Sequence, residues 1–220
     1  MKKYIVCLVV FFGIAQFGLA QDDFSQAPFD GFKQAVSIVP QYAAISGLRI
    51  DFERKLKDGN KWVLFSPQIY LDNNGYDSYD KVKGFGLNIF YKKFLHLSER
   101  KNKNGLSRTT VYFATGPTYQ HFSLSIIEQV PSEFIELGVT YFQFIESEIK
   151  TPINKFGANA DFGIQFTFSN FILDFYGGVG LRYAIDKDGN MADFFNDNWT
   201  DFGYSGFLLD GGIRLGFFIP

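Results

Sequence analysis

Few residues in this chain are of a type and spacing that could do chemistry. His96 and His121 are its two histidines and Cys7 its one cysteine. No His, Cys and carboxylate set has metal-ligand spacing, so neither a metal nor a cofactor is predicted. Asp186, Asp188 and Asn190 around Gly189 begin like a calcium loop but lack the bidentate acid that would complete one, and read as a surface turn. His96 falls in a basic stretch and reads as solvated. His121 and Ser123 are two apart, with Glu133 and Glu136 downstream. Imidazole, hydroxyl and carboxylate are the groups that nucleophilic catalysis combines. A larger set comprises Arg49, Asp51, Glu53, Lys55, Lys92, Asp161, Asp174, Arg182, Asp210 and Arg214, which carry both signs. Gathered in one place, such groups either pair into a plug or line a path for a solute.

Strands must position these residues, because the polar positions alternate with apolar ones at a period of two. In Leu48 to Lys57, Leu48, Ile50, Phe52 and Leu56 alternate with Arg49, Asp51, Glu53 and Lys55. Asp58, Gly59 and Asn60 supply a tight turn, and Lys61 to Leu71 returns with Val63, Phe65, Ile69 and Leu71 opposite Trp62, Ser66, Gln68 and Tyr70. Further strands are predicted at Ala35 to Tyr42, Val82 to Leu95, from Arg108 through Gln120, Phe156 to Phe168, Phe171 to Ile185, and Tyr204 to Pro220. His96 to Ser107 reads as a basic connection. Phe122 to Lys155 reads as a long excursion in which Val139 to Ile149 is again strand-like and extends the wall.

Eight strands, an even number, return the chain to the side on which it starts. The predicted fold is therefore all-β, an eight-stranded antiparallel up-and-down transmembrane β-barrel over 35–220. An interior that narrow cannot take the Phe, Leu and Ile faces, so the charged, Gly-rich faces are expected inside and the apolar faces against lipid. Phe134, Tyr141, Phe142 and Phe144 of the long excursion, with Phe194, Phe195 and Trp199 of the loop Asp186 to Gly203, are expected to form an apolar, acid-rimmed partner patch beyond the membrane.

The two ends point to export. Lys2 and Lys3, an apolar run from Tyr4 to Phe17, and Gly18 and Ala20 before Gln21 have the layout of a cleaved signal peptide over 1–20. Residues 21–34 read as a periplasmic lead-in. At the other end, Asp210, Gly212, Leu215 and Phe217 stand in an order that resembles the C-terminal signal of outer-membrane barrels. The mature part as a whole resembles the small OmpA/OmpX-type barrels, without the peptidoglycan-binding domain that some of them carry. The resemblance implies the cell outer membrane as location and outer-membrane lipid as surroundings. The pair His121 and Ser123 with its downstream acid is also similar to the set in outer-membrane lipid A deacylases. That likeness implies His121 as base, Ser123 as nucleophile and Glu136 as the acid that orients the histidine.

Removing Lys2 and Lys3 leaves 19 basic against 23 acidic side chains, a net charge of −4, which excludes a nucleic-acid partner. Three functions remain open on the sequence. The first is a non-enzymatic structural or accessory subunit of a larger outer-membrane assembly for protein assembly, secretion or transport, with other envelope proteins as partners. The second is a lipid A deacylase-like enzyme, and the third a narrow solute pore.

Overall fold

The computed structural model describes residues 32–57, 59–72, 81–102, 105–136, 138–186 and 201–219. The predicted leader, 1–20, and most of the lead-in lie outside them. Eight antiparallel strands follow in order: β1 (Gln34–Ile38), β2 (Gly47–Lys55), β3 (Lys61–Asp72), β4 (Lys81–Asn102), β5 (Gly105–Glu136), β6 (Val139–Phe168), β7 (Phe171–Ile185) and β8 (Gly206–Ile219). Each pairs with its neighbours in sequence, and β8 pairs with β1 from Gln34 opposite Ile219 to Ile38 opposite Leu215, closing the ring. Closure leaves no sheet edge around the wall. Among the described residues no helix is long and apolar enough to cross a membrane, which says nothing of a barrel.

Three expectations about the elements need correction. The first strand stops at Ile38 rather than Tyr42, because Pro40 has no amide hydrogen to give the ladder and its fixed φ starts a 3-10 turn, Pro40–Ile45. The connection His96 to Ser107 is mostly strand: β4 runs to Asn102 and pairs with β5 to Gly105, past an irregularity between Phe94 and His96. The excursion Phe122 to Lys155 is not a loop with one strand-like part. β5 and β6 pair without a break from Ser107 opposite Phe168 to Glu136 opposite Val139, and Gly138, at φ 78°, precedes β6. Since β4 leaves β5 beyond Lys81 opposite Ser125, and β7 leaves β6 beyond Ile185 opposite Asn154, the last part is a two-stranded ribbon with no further strand partner among the described residues.

The wall separates two faces. Outward positions are apolar and exposed, as with Phe52, Phe65, Ile89, Phe162, Phe175, Leu209 and Phe217. Inward positions fill the lumen in three tiers. At the end with the short turns, Trp62, Leu64, Phe90, Phe94, Tyr112, Ile172 and Phe218 form an apolar cluster, and Phe32 stacks on Phe218 with ring centroids 5.0 Å apart. At the opposite, loop end, Tyr70, Val82, Phe122, Leu124, Ile153 and Ala184 form a second cluster, against which Tyr42 of the 3-10 turn and Phe202 pack. Charged groups lie between the two.

Candidate functional site

The middle tier is built from alternate inward positions of six strands. Arg49 donates to Asp51 through Nε (2.7 Å) and Nη2 (3.1 Å), two residues along the same face of β2. Arg214 of β8 reaches across to the same carboxylate, Nε to Oδ2 at 2.7 Å, so Asp51 bridges two guanidinium groups. Its Nη1 also donates to Asp174 Oδ2 at 3.0 Å and to the Tyr112 hydroxyl at 2.7 Å, while that hydroxyl donates to Asp174 Oδ1 at 2.8 Å. Lys92 of β4 donates to both oxygens of Glu53, at 3.1 and 2.9 Å, and to Gln165 Oε1 of β6 at 2.8 Å.

Three cations (Arg49, Lys92, Arg214) thus face three carboxylates (Asp51, Glu53, Asp174), every one of them buried. Aromatic faces complete the cage: the Arg214 guanidinium carbon lies 3.8 Å from the Tyr176 ring centre and Lys92 Nζ 4.1 Å from that of Tyr112. Tyr112 can lie flat across β6 because its cross-strand partner is Gly163, where a Cβ would collide with the phenol. Charges out of water are stable only when paired and hydrogen-bonded, and this set is neutral and cross-linked. Its chemical capacity is structural, since each carboxylate and each cation is engaged with another member.

Of the remaining predicted interior charges, Arg182, Asp161 and Asp210 share no hydrogen bond with this set. Arg182 donates to Asn159 Oδ1, and Asn159 Nδ2 donates to Asp210 Oδ2 at 2.6 Å, a smaller chain linking β7, β6 and β8. Asp161 is buried with neither carboxylate oxygen hydrogen-bonded, and leans over Gly178, where a Cβ would strike it. Lys55 is half-buried at the turn-end mouth. Sequence reasoning missed Tyr112, Gln165 and Asn159 as partners, and missed both apolar tiers; the signal available for the latter was apolar residues on both faces of one strand, as at Trp62 to Phe65.

Among the described residues the histidine set is not assembled with an acid. His121 Nδ1 donates to Asn154 Oδ1 at 2.9 Å, an oxygen that also accepts from the Tyr119 hydroxyl at 2.9 Å. A carboxamide therefore occupies the place that the likeness to deacylases reserves for a carboxylate. Glu133 and Glu136 lie ten and thirteen residues beyond Ser123 on the same strand, roughly 30 to 45 Å away at a strand's rise. His121 and Ser123 do share the outward face with Tyr119, half-buried at the loop-end rim. His96 is exposed beside the β4 irregularity.

The predicted partner patch divides. Phe142 and Phe144 are 70% and 72% exposed on one face of the ribbon, while Phe134 and Tyr141 stack on each other at 5.2 Å on the other face. Phe194, Phe195 and Trp199 lie outside the described residues. At the ribbon's base a hydrogen bond from Ser125, helped by Lys150 and Lys81, holds the Glu148 carboxyl below its ordinary range. Among the described residues no group of three or more His, Cys, Asp or Glu side chains is placed to hold a metal ion.

No family model, curated protein or solved structure matches this chain. The fold and interior define the class on their own: a closed antiparallel eight-stranded barrel with a braced, filled lumen.

Proposed function

We propose that the protein is a non-enzymatic barrel of the cell outer membrane, similar to the small OmpA/OmpX-type barrels, and that it serves as an accessory subunit whose ribbon docks an envelope partner. Support for the membrane comes from the outward face. Its outward apolar positions run from Phe171 to Tyr183 along β7, about 40 Å of strand, which rises about 30 Å at the usual tilt, enough to span the apolar band of about 25 Å on such barrels. Aromatic residues stand at both limits: Phe171 and Phe217 at the turn end (5.4 Å apart), Tyr119 and Phe156 at the loop end (5.1 Å apart).

The observation that carries the docking role is the ribbon itself. Ile127–Ile149 projects past every neighbouring strand with Ile135, Phe142 and Phe144 at 74%, 70% and 72% exposure. A lone two-stranded ribbon is marginal in water and exposed apolar clusters of this kind mark partner surfaces. The test is co-purification from native outer membranes in mild detergent. The wild type is expected to bring down a stoichiometric partner and the Phe142→Ser/Phe144→Ser variant to lose it, with heat-modifiable gel migration unchanged. A wild type that runs as a lone monomer overturns the docking role.

A further inference from the structure

A groove of about 700 Å³ opens on the outer wall at the turn end, between β1, β2 and β3. Its floor is a cross-strand row, Val36 beside Phe52 beside Phe65, held by the β1–β2 and β2–β3 registers. One row nearer the turns, Gln34 pairs with Arg54, and Lys57 follows in the turn. Outward residues of β2 are thus apolar at Leu48, Ile50 and Phe52 and cationic at Arg54, the last before the turn.

Arg54 and Lys57 are both exposed, and neither has an ion-pair partner among the described residues. The one carboxylate lining the groove, Glu53, points the other way and is held by Lys92 inside the barrel. The site therefore presents an apolar trough capped by an amide and by two cations that have no ion-pair partner among the described residues. On a wall that faces lipid, a long cationic side chain at the end of an apolar stripe extends its head to the interface.

We infer that this groove binds one anionic phospholipid, an acyl chain lying along Val36, Phe52 and Phe65 and the phosphate held by Arg54 and Lys57. A guanidinium can meet two phosphate oxygens at once, which a zwitterionic headgroup offers with its own ammonium in competition. The inference rests on the membrane reading above, and the two fail differently.

The experiment uses the mature protein refolded into phosphatidylcholine vesicles, alone or mixed with phosphatidylglycerol. It is then extracted in mild detergent and the retained lipid is counted by native mass spectrometry. Heat-modifiable migration is followed in parallel. The wild type is expected to retain one phosphatidylglycerol with about a tenfold preference over phosphatidylcholine, the scale of one or two cation–headgroup contacts. Arg54→Gln/Lys57→Gln is expected to lower the preference to about twofold or less. Val36→Trp, which fills the trough without touching the cations, is expected to abolish retention of both lipids. A folded, heat-modifiable barrel that retains the two lipids equally, or a double variant that keeps the wild-type preference, overturns the site alone. A chain that never inserts overturns the membrane reading and the site with it.

Discussion

Arg214 is the residue on which the interior network converges. Through one guanidinium it joins Asp51 on β2, Tyr112 on β5 and Asp174 on β7, and it sits over the Tyr176 ring. Replacing it with Met keeps much of the volume but leaves two carboxylates short of a cation in a dry place, and removing one partner of a buried ion pair costs about 3–5 kcal/mol. Arg214→Met should therefore lower the unfolding free energy by that amount, measured by urea unfolding in vesicles. Arg214→Lys restores the charge without the planar fork and should recover only part of the loss. A Met variant as stable as the wild type would mean that Asp51 and Asp174 are satisfied by Arg49, Lys92 and Tyr112 alone.

At the scale of elements, what could be read from the sequence depended on how cleanly a strand alternates. Leu48 to Glu53 alternates without exception, and its inward set Arg49, Asp51 and Glu53 is buried while Leu48 and Phe52 are 45% and 44% exposed. Phe90 and Phe94 sit among outward-looking Phe, Ile and Tyr residues, and alternation alone cannot show that they point inward to pack with Trp62 and Tyr112. Asn159 and Gln165 have no charge to advertise them, and only the register places them beside Asp210 and Lys92. The ribbon was hidden for a different reason. Pro131 and the five glutamates between Glu128 and Glu148 break the apolar pattern, because a strand with no wall to join has no buried face to keep. That independence carries a prediction. Beyond Lys81 opposite Ser125 and Ile185 opposite Asn154, β5 and β6 pair only with each other among the described residues. Replacing 128–147 by an Asn-Gly turn, the natural closure for two antiparallel strands, should leave the barrel folded, with heat-modifiable migration intact and stability changed by no more than about 1 kcal/mol, since loop length enters closure entropy only logarithmically. Failure of the shortened chain to fold would place the ribbon in the folding core.

For the molecule as a whole, the order of the three tiers decides whether anything passes through. Eight strands enclose a space that side chains just fill, and here each tier blocks the lumen by different means. Trp62 packs edge-on against Phe94 and Phe218, at centroid distances of 6.2 and 5.9 Å, at the turn end. The six-charge network closes the middle without a net charge to attract an ion. Tyr70, Phe122 and Phe202 close the loop end, with ring centroids 5.0 and 4.8 Å apart along the series. A solute would have to displace an apolar cluster, then break ion pairs in a low-dielectric interior, then displace a second cluster, so removing any one tier leaves the other two. The wild type should accordingly give no conductance steps in planar bilayers, and Tyr70→Ala/Phe122→Ala, which empties the loop-end tier, should be silent as well. Current should appear only when that pair is combined with Trp62→Ala and Lys92→Met, which open the turn end and loosen the middle. Steps from the wild type would show that the interior rearranges in a bilayer. Steps from the double variant alone would mean that the loop-end tier is the sole barrier and the charge network a conducting path rather than a brace.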